Sequence, residues 1–139
     1  GVSQSGSFVD YLVWFLSTKG VRFSSVVSCG NECDLAAEDY LEYLGQDDKT
    51  KTIVSYMEGV KDGRRFFEVA REVSKKKPIV LWKGGMSEQG ARAAASHTGA
   101  LAGSTAIWQA MFKQAGIIQV HLLMLTCGTY FVLFWDLGG

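Results

Sequence analysis

The stretch ARAAASHTGALAGS, residues 91–104, sets His97 among Ala, Ser, Thr and Gly. Imidazole is a nucleophile near neutral pH and can attack phosphorus to give a phosphoramidate. The small neighbours leave the ring open to a phosphate donor, with Gly99 and Gly103 following it. The same placement also suits an exposed loop histidine with no chemical role. Glu58 ends an apolar run and precedes Gly59. A carboxylate beside an imidazole fixes its tautomer and stabilises positive charge on it; a carboxylate at a strand end can equally well be solvated. In Ser3-Gln4-Ser5-Gly6-Ser7 a glycine turn leads straight into a helical pattern. Helix-start amides lack intrahelical partners and carry partial positive charge, so Ser5, Gly6 and Ser7 form a candidate phosphate cradle. The plainer alternative is an ordinary N-cap at Ser5 or Ser7. Other phosphate and nucleophile motifs fail. GGMSEQGARA has Walker-like glycine spacing but lacks the Lys-Ser/Thr pair. No Gly-x-Gly-x-x-Gly follows a strand, and no Ser-His-Asp or Cys-His set can be assigned from spacing.

These groups need a scaffold that brings distant positions together. Apolar, β-branched runs predict strands at Phe23–Ser28, Thr52–Met57, Ile79–Leu81 and Ile117–Val120, after a short first strand before SQSGS. The intervals, about 25 to 35 residues, are long enough for helical crossovers between parallel strands. Phe8, Leu12, Phe15 and Leu16 share a helix face, although Val9, Tyr11, Val13 and Trp14 make that helix apolar nearly all round. Phe66, Ala70 and Val73 follow i, i+4, i+7, and Ile107, Trp108, Met111, Phe112 and Ala115 mark a late helix capped by Ser104. A shorter helix is expected over Ala36–Leu44, and Pro78 ends one helix just before a strand. Strands alternating with helices predict an α/β fold: a three-layer, doubly wound, mainly parallel sheet. The loops SQSGS, SCGNECD, MEGVKDG and the long loop of His97 then lie on one rim, at the carboxyl ends of the strands, where ligands gather in such sheets. The long loop itself, placing His97 about fifteen residues beyond its strand, is of a length that tends to be functional or disordered.

Composition narrows the classes. The 139 residues allow one domain with a core, and 14 Lys plus Arg balance 14 Asp plus Glu. No basic footprint for nucleic acid follows, and Lys75-Lys76-Lys77 reads as a solvated helix end. Cys29, Cys33 and Cys127 lack the His or Cys companions of a tetrahedral zinc site, so no metal is expected here. An odd cysteine count without a signal peptide predicts reduced thiols in the cytoplasm. Leu122 to Leu137 is interrupted by Thr126, Gly128, Thr129 and Asp136, which predicts no membrane span. The chain opens on GVSQSG, in passage from strand to loop, which predicts a fragment of a longer polypeptide.

The motifs SQSGS, GNECD, DYLEYLGQD, IVSYMEGVKDGRRF, KKPIVLWKGG and ASHTGALAGS, in that order, resemble the nucleoside-diphosphate-forming acyl-CoA synthetases, relatives of succinyl-CoA synthetase. The similar region, residues 1–120, is the flavodoxin-like domain that follows the CoA-binding domain of the α part. The resemblance implies that His97 is phosphorylated in turnover and that Glu58 orients and stabilises the phosphohistidine. It implies phosphate binding at Ser5, Gly6 and Ser7, and by the amides after His97, at Thr98 and Gly99. Asn31 and Asp34 match family positions that shape a loop. The implied reaction converts acyl-CoA, ADP and phosphate to acid, CoA and ATP. It also implies partners: an N-terminal CoA-binding domain and an ATP-grasp domain or β subunit, in an oligomer, with magnesium at the nucleotide site outside this chain. No cofactor is expected within the chain itself, which alone is expected to be inactive.

Residues 121–139, HLLMLTCGTYFVLFWDLGG, depart from the acidic helical sequence expected there and form a divergent apolar tail. Two other functions compete. A related regulatory domain would sense a small ligand without catalysis, and a flavodoxin-like carrier would cradle a flavin phosphate in SQSGS.

Overall fold

The computed structural model describes residues 1–86, 104–124 and 131–135, the last two stretches by backbone alone beyond residue 120. Six strands form one sheet: β1 (Val2–Ser3), β2 (Val27–Ser28), β3 (Ile53–Met57), β4 (Ile79–Lys83), β5 (Ile118–Met124) and β6 (Phe131–Trp135). The helices are α1 (Gly6–Thr18), α2 (Ala37–Gln46), α3 (Gly63–Ser74) and α4 (Thr105–Ala115). The sheet order is β2-β1-β3-β4-β5-β6, with β1 to β5 parallel and β6 antiparallel to β5.

Crossover handedness explains the layering. From β1 the chain moves one way to β2, then reverses and proceeds through β3, β4 and β5. Right-handed crossovers therefore put α1 on one face and α2, α3 and α4 on the other. The thicker face holds the core. Ile53 and Met57 of β3 and Ile79 and Leu81 of β4 are fully buried, alternating with half-buried residues that face α1. Leu41, Leu44, Phe66, Ala70, Trp108 and Phe112 from the three helices cover them. The α1 face is thinner. There Phe8 meets Tyr56 and Trp82 at ring-centroid distances of 4.7 and 4.6 Å, and the two strand rings stand 4.8 Å apart. Beside this aromatic trio, α1 and the sheet enclose an apolar cavity of about 490 Å³ lined by Leu12, Phe15, Phe23, Val54 and Val80.

The helices start and stop for local reasons. Asp62 caps α3 by accepting from the Arg65 amide at 2.9 Å. Ser104 caps α4 as its position in the sequence predicts, and Gly116 ends that helix at φ 73°, a conformation that favours glycine. Pro78 leads directly into β4, and its carbonyl accepts from the Ile53 amide at 2.9 Å.

Two strands differ from the pattern in the sequence. Phe23–Ser28 is expected as a strand, yet only Val27–Ser28 pairs. β2 is an edge strand whose sole neighbour, β1, presents two residues in register, so the apolar run before Val27 has no ladder to join. β5, expected to end at Val120, runs on to Met124 because β6 pairs with it from Val120 to Met124.

Gly45 lies inside α2, where alanine normally gains about 1 kcal/mol over glycine. A Cβ at that position would stand 2.8 Å from Val73 Cγ2 and 3.2 Å from Cγ1 of α3. The branched valine has no free end to swing away. Gly45→Ala is expected to lose about 1–2 kcal/mol in urea unfolding, since overpacking outweighs propensity. Adding Val73→Ala should recover part of that loss as a favourable coupling in the double-mutant cycle.

Candidate functional site

The two directions of winding part between β1 and β3, so the carboxyl ends of these strands flank the switch-point crevice, the place where open α/β sheets bind ligands. Gln4 follows β1, and Glu58 follows β3. The Gln4 carboxamide bridges them. Its Oε1 accepts from the amides of Glu58 at 2.6 Å and Gly59 at 3.2 Å. Its Nε2 donates to Gly59 O at 2.8 Å and to Glu32 Oε1 at 2.7 Å. The Gln4 amide also donates to Tyr56 O at 3.1 Å, continuing the β1–β3 ladder.

Glu32 anchors the far side of this bridge. Its carboxylate is buried, and Oε1 also accepts from the Ala37 amide, the first of α2, at 3.0 Å. A carboxylate at a helix start answers the partial positive charge of its free amides. The Glu32 backbone is held at φ 56°, a conformation costly for any residue but glycine. Its carbonyl accepts from Lys61 Nζ, which ties the loop after β2 to the loop after β3.

The Glu58 carboxylate accepts from Tyr56 Oη at 3.0 Å. Tyr56 is in turn packed between Phe8 and Trp82, so the acid is steered by the aromatic trio of the α1 face. Burial, then the Glu58 charge, push the Tyr56 phenol well above its ordinary value, so it remains a donor. A Cβ on Gly84 would lie 2.6 Å from Tyr56 Oη, so glycine at 84 gives this hydroxyl its room. On the other side, Lys83 Nζ donates to Glu58 O at 2.7 Å and to Gly84 O.

Ser5 occupies the N-cap of α1, at φ −114°, and its side chain makes no capping bond. Its backbone is arranged by Ser3 Oγ, which donates to Ser5 O at 2.7 Å and accepts from Ser5 N at 3.0 Å. No acidic residue lies in the first turn, so the start of this helix at Gly6 and Ser7 carries no compensating charge of its own. The structure thus brings Ser5, Gly6, Ser7 and Glu58 to the same crevice through Gln4. His97, Thr98 and Gly99 lie outside the described residues. Thr105 Oγ1 donates to Met86 O at 3.0 Å, which ties the start of α4 to the segment just past β4. Asn31 and Asp34 lie in the loop between β2 and α2. Among the described residues no three His, Cys, Asp or Glu side chains converge as a metal site.

Residues 2–125 match the family of the succinyl-CoA ligase-like flavodoxin domain. The chain belongs to this family. It is 51% identical over 122 residues to the α subunit of acetate–CoA ligase (ADP-forming) I of Pyrococcus furiosus, covering 88% of this chain and 26% of that one. It is 45% identical over 124 residues to 4-hydroxybutyrate–CoA ligase (ADP-forming) of Nitrosopumilus maritimus, covering 88% of this chain and 18% of that protein. Among solved structures, the Candidatus Korarchaeum cryptofilum acetyl-CoA synthetase 1 in complex with phosphate and ADP superposes with a TM-score of 0.79 at 45% identity. That match covers 85% of this chain and 26% of the other. The chain thus spans about a quarter or less of the length of these relatives, and its α/β, flavodoxin-like fold is theirs.

Gln4, Glu32, Tyr56, Lys83 and Gly84 do not stand out in the sequence as functional. Lys83 alone leaves a signal: it continues the inward alternation of Ile79 and Leu81, where a lysine is out of place.

Two outcomes follow. In Gln4→Leu the Glu58 and Gly59 amides lose their acceptor, and their hydrogen exchange is expected to accelerate at least tenfold while core amides such as Leu81 keep their protection. Cys29 donates to Ser3 O at 3.3 Å and sits 4.0 Å from Glu32 Oε1; burial, then that carboxylate, push its thiol up to about 11. Its thiolate fraction at pH 8 is then about a thousandth, so iodoacetamide should label exposed Cys33 well before Cys29, as peptide mass spectrometry would show.

Proposed function

We propose that this chain is the phosphohistidine-carrying domain of an ADP-forming acyl-CoA synthetase, working in the cytoplasm with CoA-binding and ATP-grasp parts. One observation carries the reading. A family-matched sequence, about half identical to ADP-forming acetate–CoA ligases, follows β1 with a helix start that has no acidic residue in its first turn, and follows the neighbouring β3 with a carboxylate oriented by Tyr56.

In the proposed sequence, phosphate attacks the acyl-CoA carbonyl, and the C–S bond breaks to release CoA. The resulting acyl phosphate sits with its phosphoryl oxygens at the amides of Ser5, Gly6 and Ser7, with Thr98 and Gly99 contributing from the loop of His97. A ring nitrogen of His97 attacks phosphorus, and the carboxylate leaves as the free acid. Glu58 accepts a hydrogen bond from the other ring nitrogen, fixing the tautomer and stabilising the charged phosphoimidazole. The Tyr56 hydroxyl holds Glu58 in the required rotamer. ADP then takes the phosphoryl group through a β-phosphate oxygen, regenerating His97 and forming ATP.

Nucleotide and magnesium fall to the ATP-grasp part in this scheme. Relatives named for acetate and for 4-hydroxybutyrate are similarly close to this chain, at 51% and 45%. That similarity supports an acyl pocket lying outside it.

Incubating the complete synthetase with γ-labelled ATP should place acid-labile, base-stable label on His97. His97→Ala should abolish the label, and Glu58→Gln should lower it at least tenfold. An unlabelled wild type that still binds a small ligand would favour the sensing relative, and label unchanged in His97→Ala would exclude His97 as the carrier.

A further inference from the structure

Lys83 closes β4 with only 4% of its surface exposed. Burying an ammonium without compensation is expensive. Here the direct contacts that compensate it are all with partial charges. Nζ donates to Glu58 O at 2.7 Å and to Gly84 O, and it sits 4.9 Å from the centroid of the Trp108 ring. Two carbonyl oxygens and a π face all present negative density, an environment suited to a cation. No carboxylate lies within ion-pairing distance of it among the described residues. Burial lowers its proton affinity, and the Glu58 charge opposes that effect.

The positive charge of Lys83 is therefore not cancelled by a bonded partner. It stands beneath the peptide of Glu58, on the α4 side of the sheet, while the Glu58 carboxylate turns to Tyr56 on the α1 side. Charge in a water-poor site acts over a longer range than in bulk solvent. A dianion drawn to the crevice meets the partial charge of α1 and this fixed full charge, which together offset its repulsion by Glu58.

We propose that Lys83 is a positioning residue for phosphoryl binding at the switch-point crevice. It clamps the main chain of Glu58 and supplies the positive potential that lets a phosphate dianion share the crevice with that carboxylate. This rests on the reading of the chain as a phosphohistidine domain.

The test uses the complete synthetase with inorganic phosphate as the varied substrate, and acyl-CoA and ADP saturating. Lys83→Met keeps the length of the side chain and removes the charge. Lys83→Gln keeps a carboxamide able to donate to the two carbonyls. Both are expected to raise the KM for phosphate at least tenfold while kcat at saturating phosphate changes less. Lys83→Arg should restore most of the phosphate affinity. A structural role alone would lower the unfolding temperature of the variants without selectively moving the phosphate KM. A phosphate KM within twofold of wild type in a folded Met or Gln variant overturns the proposal, as does failure of both variants to fold. Failure of the underlying reading looks different: wild-type enzyme would then carry no label on His97. Labelled wild type with an unmoved phosphate KM in the variants sinks the role of Lys83 alone.

Discussion

At the switch point the sheet has to solve a problem of its own making. β1 and β3 are neighbours, but the chain leaves them toward opposite faces, so the peptide groups just beyond their ends lose the partners that a continuing ladder would provide. The Gln4 side chain takes over that role. It accepts from two amides and donates to one carbonyl and one carboxylate, acting as a short piece of false backbone between the two loops. The entry to α1, the orientation of the Glu58 peptide and the location of Glu32 all depend on this one carboxamide. A hydrocarbon there would leave buried donors unmatched, each at a cost of about 1–3 kcal/mol.

The two faces of the sheet divide the labour at the crevice. The thicker face, under α2, α3 and α4, supplies the buried apolar mass and carries Lys83 against Trp108. On the thinner face the described residues supply one helix, α1, which packs through the rings of Phe8, Tyr56 and Trp82. Because strand residues alternate, Tyr56 and Glu58 share that thinner face, and the ring hydroxyl reaches the acid two residues on. The absence of a side chain at Gly84, just past the end of β4, leaves the hydroxyl its place. The acid is thus set by contacts spanning β3, β4 and α1, none adjacent to it in the folded main chain except Tyr56.

Much of this architecture is readable from residue order, for definite reasons. Ile53, Ser55 and Met57 alternate with half-buried neighbours, and Phe66, Ala70 and Val73 repeat at helical spacing, because each element buries one side. Ser104 and Gly116 bound α4 with side-chain and backbone chemistry that is local. The run from Phe23 looks like a strand and mostly is not, since pairing depends on what a neighbour offers rather than on the run itself. β6 was hidden for a similar reason: its partner is the extension of β5, a tertiary fact. At the site, Glu58 and the Ser5–Ser7 turn are legible because they sit at strand and helix boundaries. Gln4 and Glu32 are not, because their roles exist only once loops distant in sequence converge. A lysine at the inward position of β4 was the one visible irregularity.

Glu32 embodies two demands that no single amino acid satisfies together. Its main chain, at φ 56°, favours glycine, while the bonds from Gln4 and Ala37 require a carboxylate. Glycine would relax the backbone and abandon the helix start; aspartate would tolerate the backbone better yet fall one methylene short of the same donors. Drift at this position is therefore boxed in from both directions, and any homologue that departs from glutamate here should show a compensating change at residue 4.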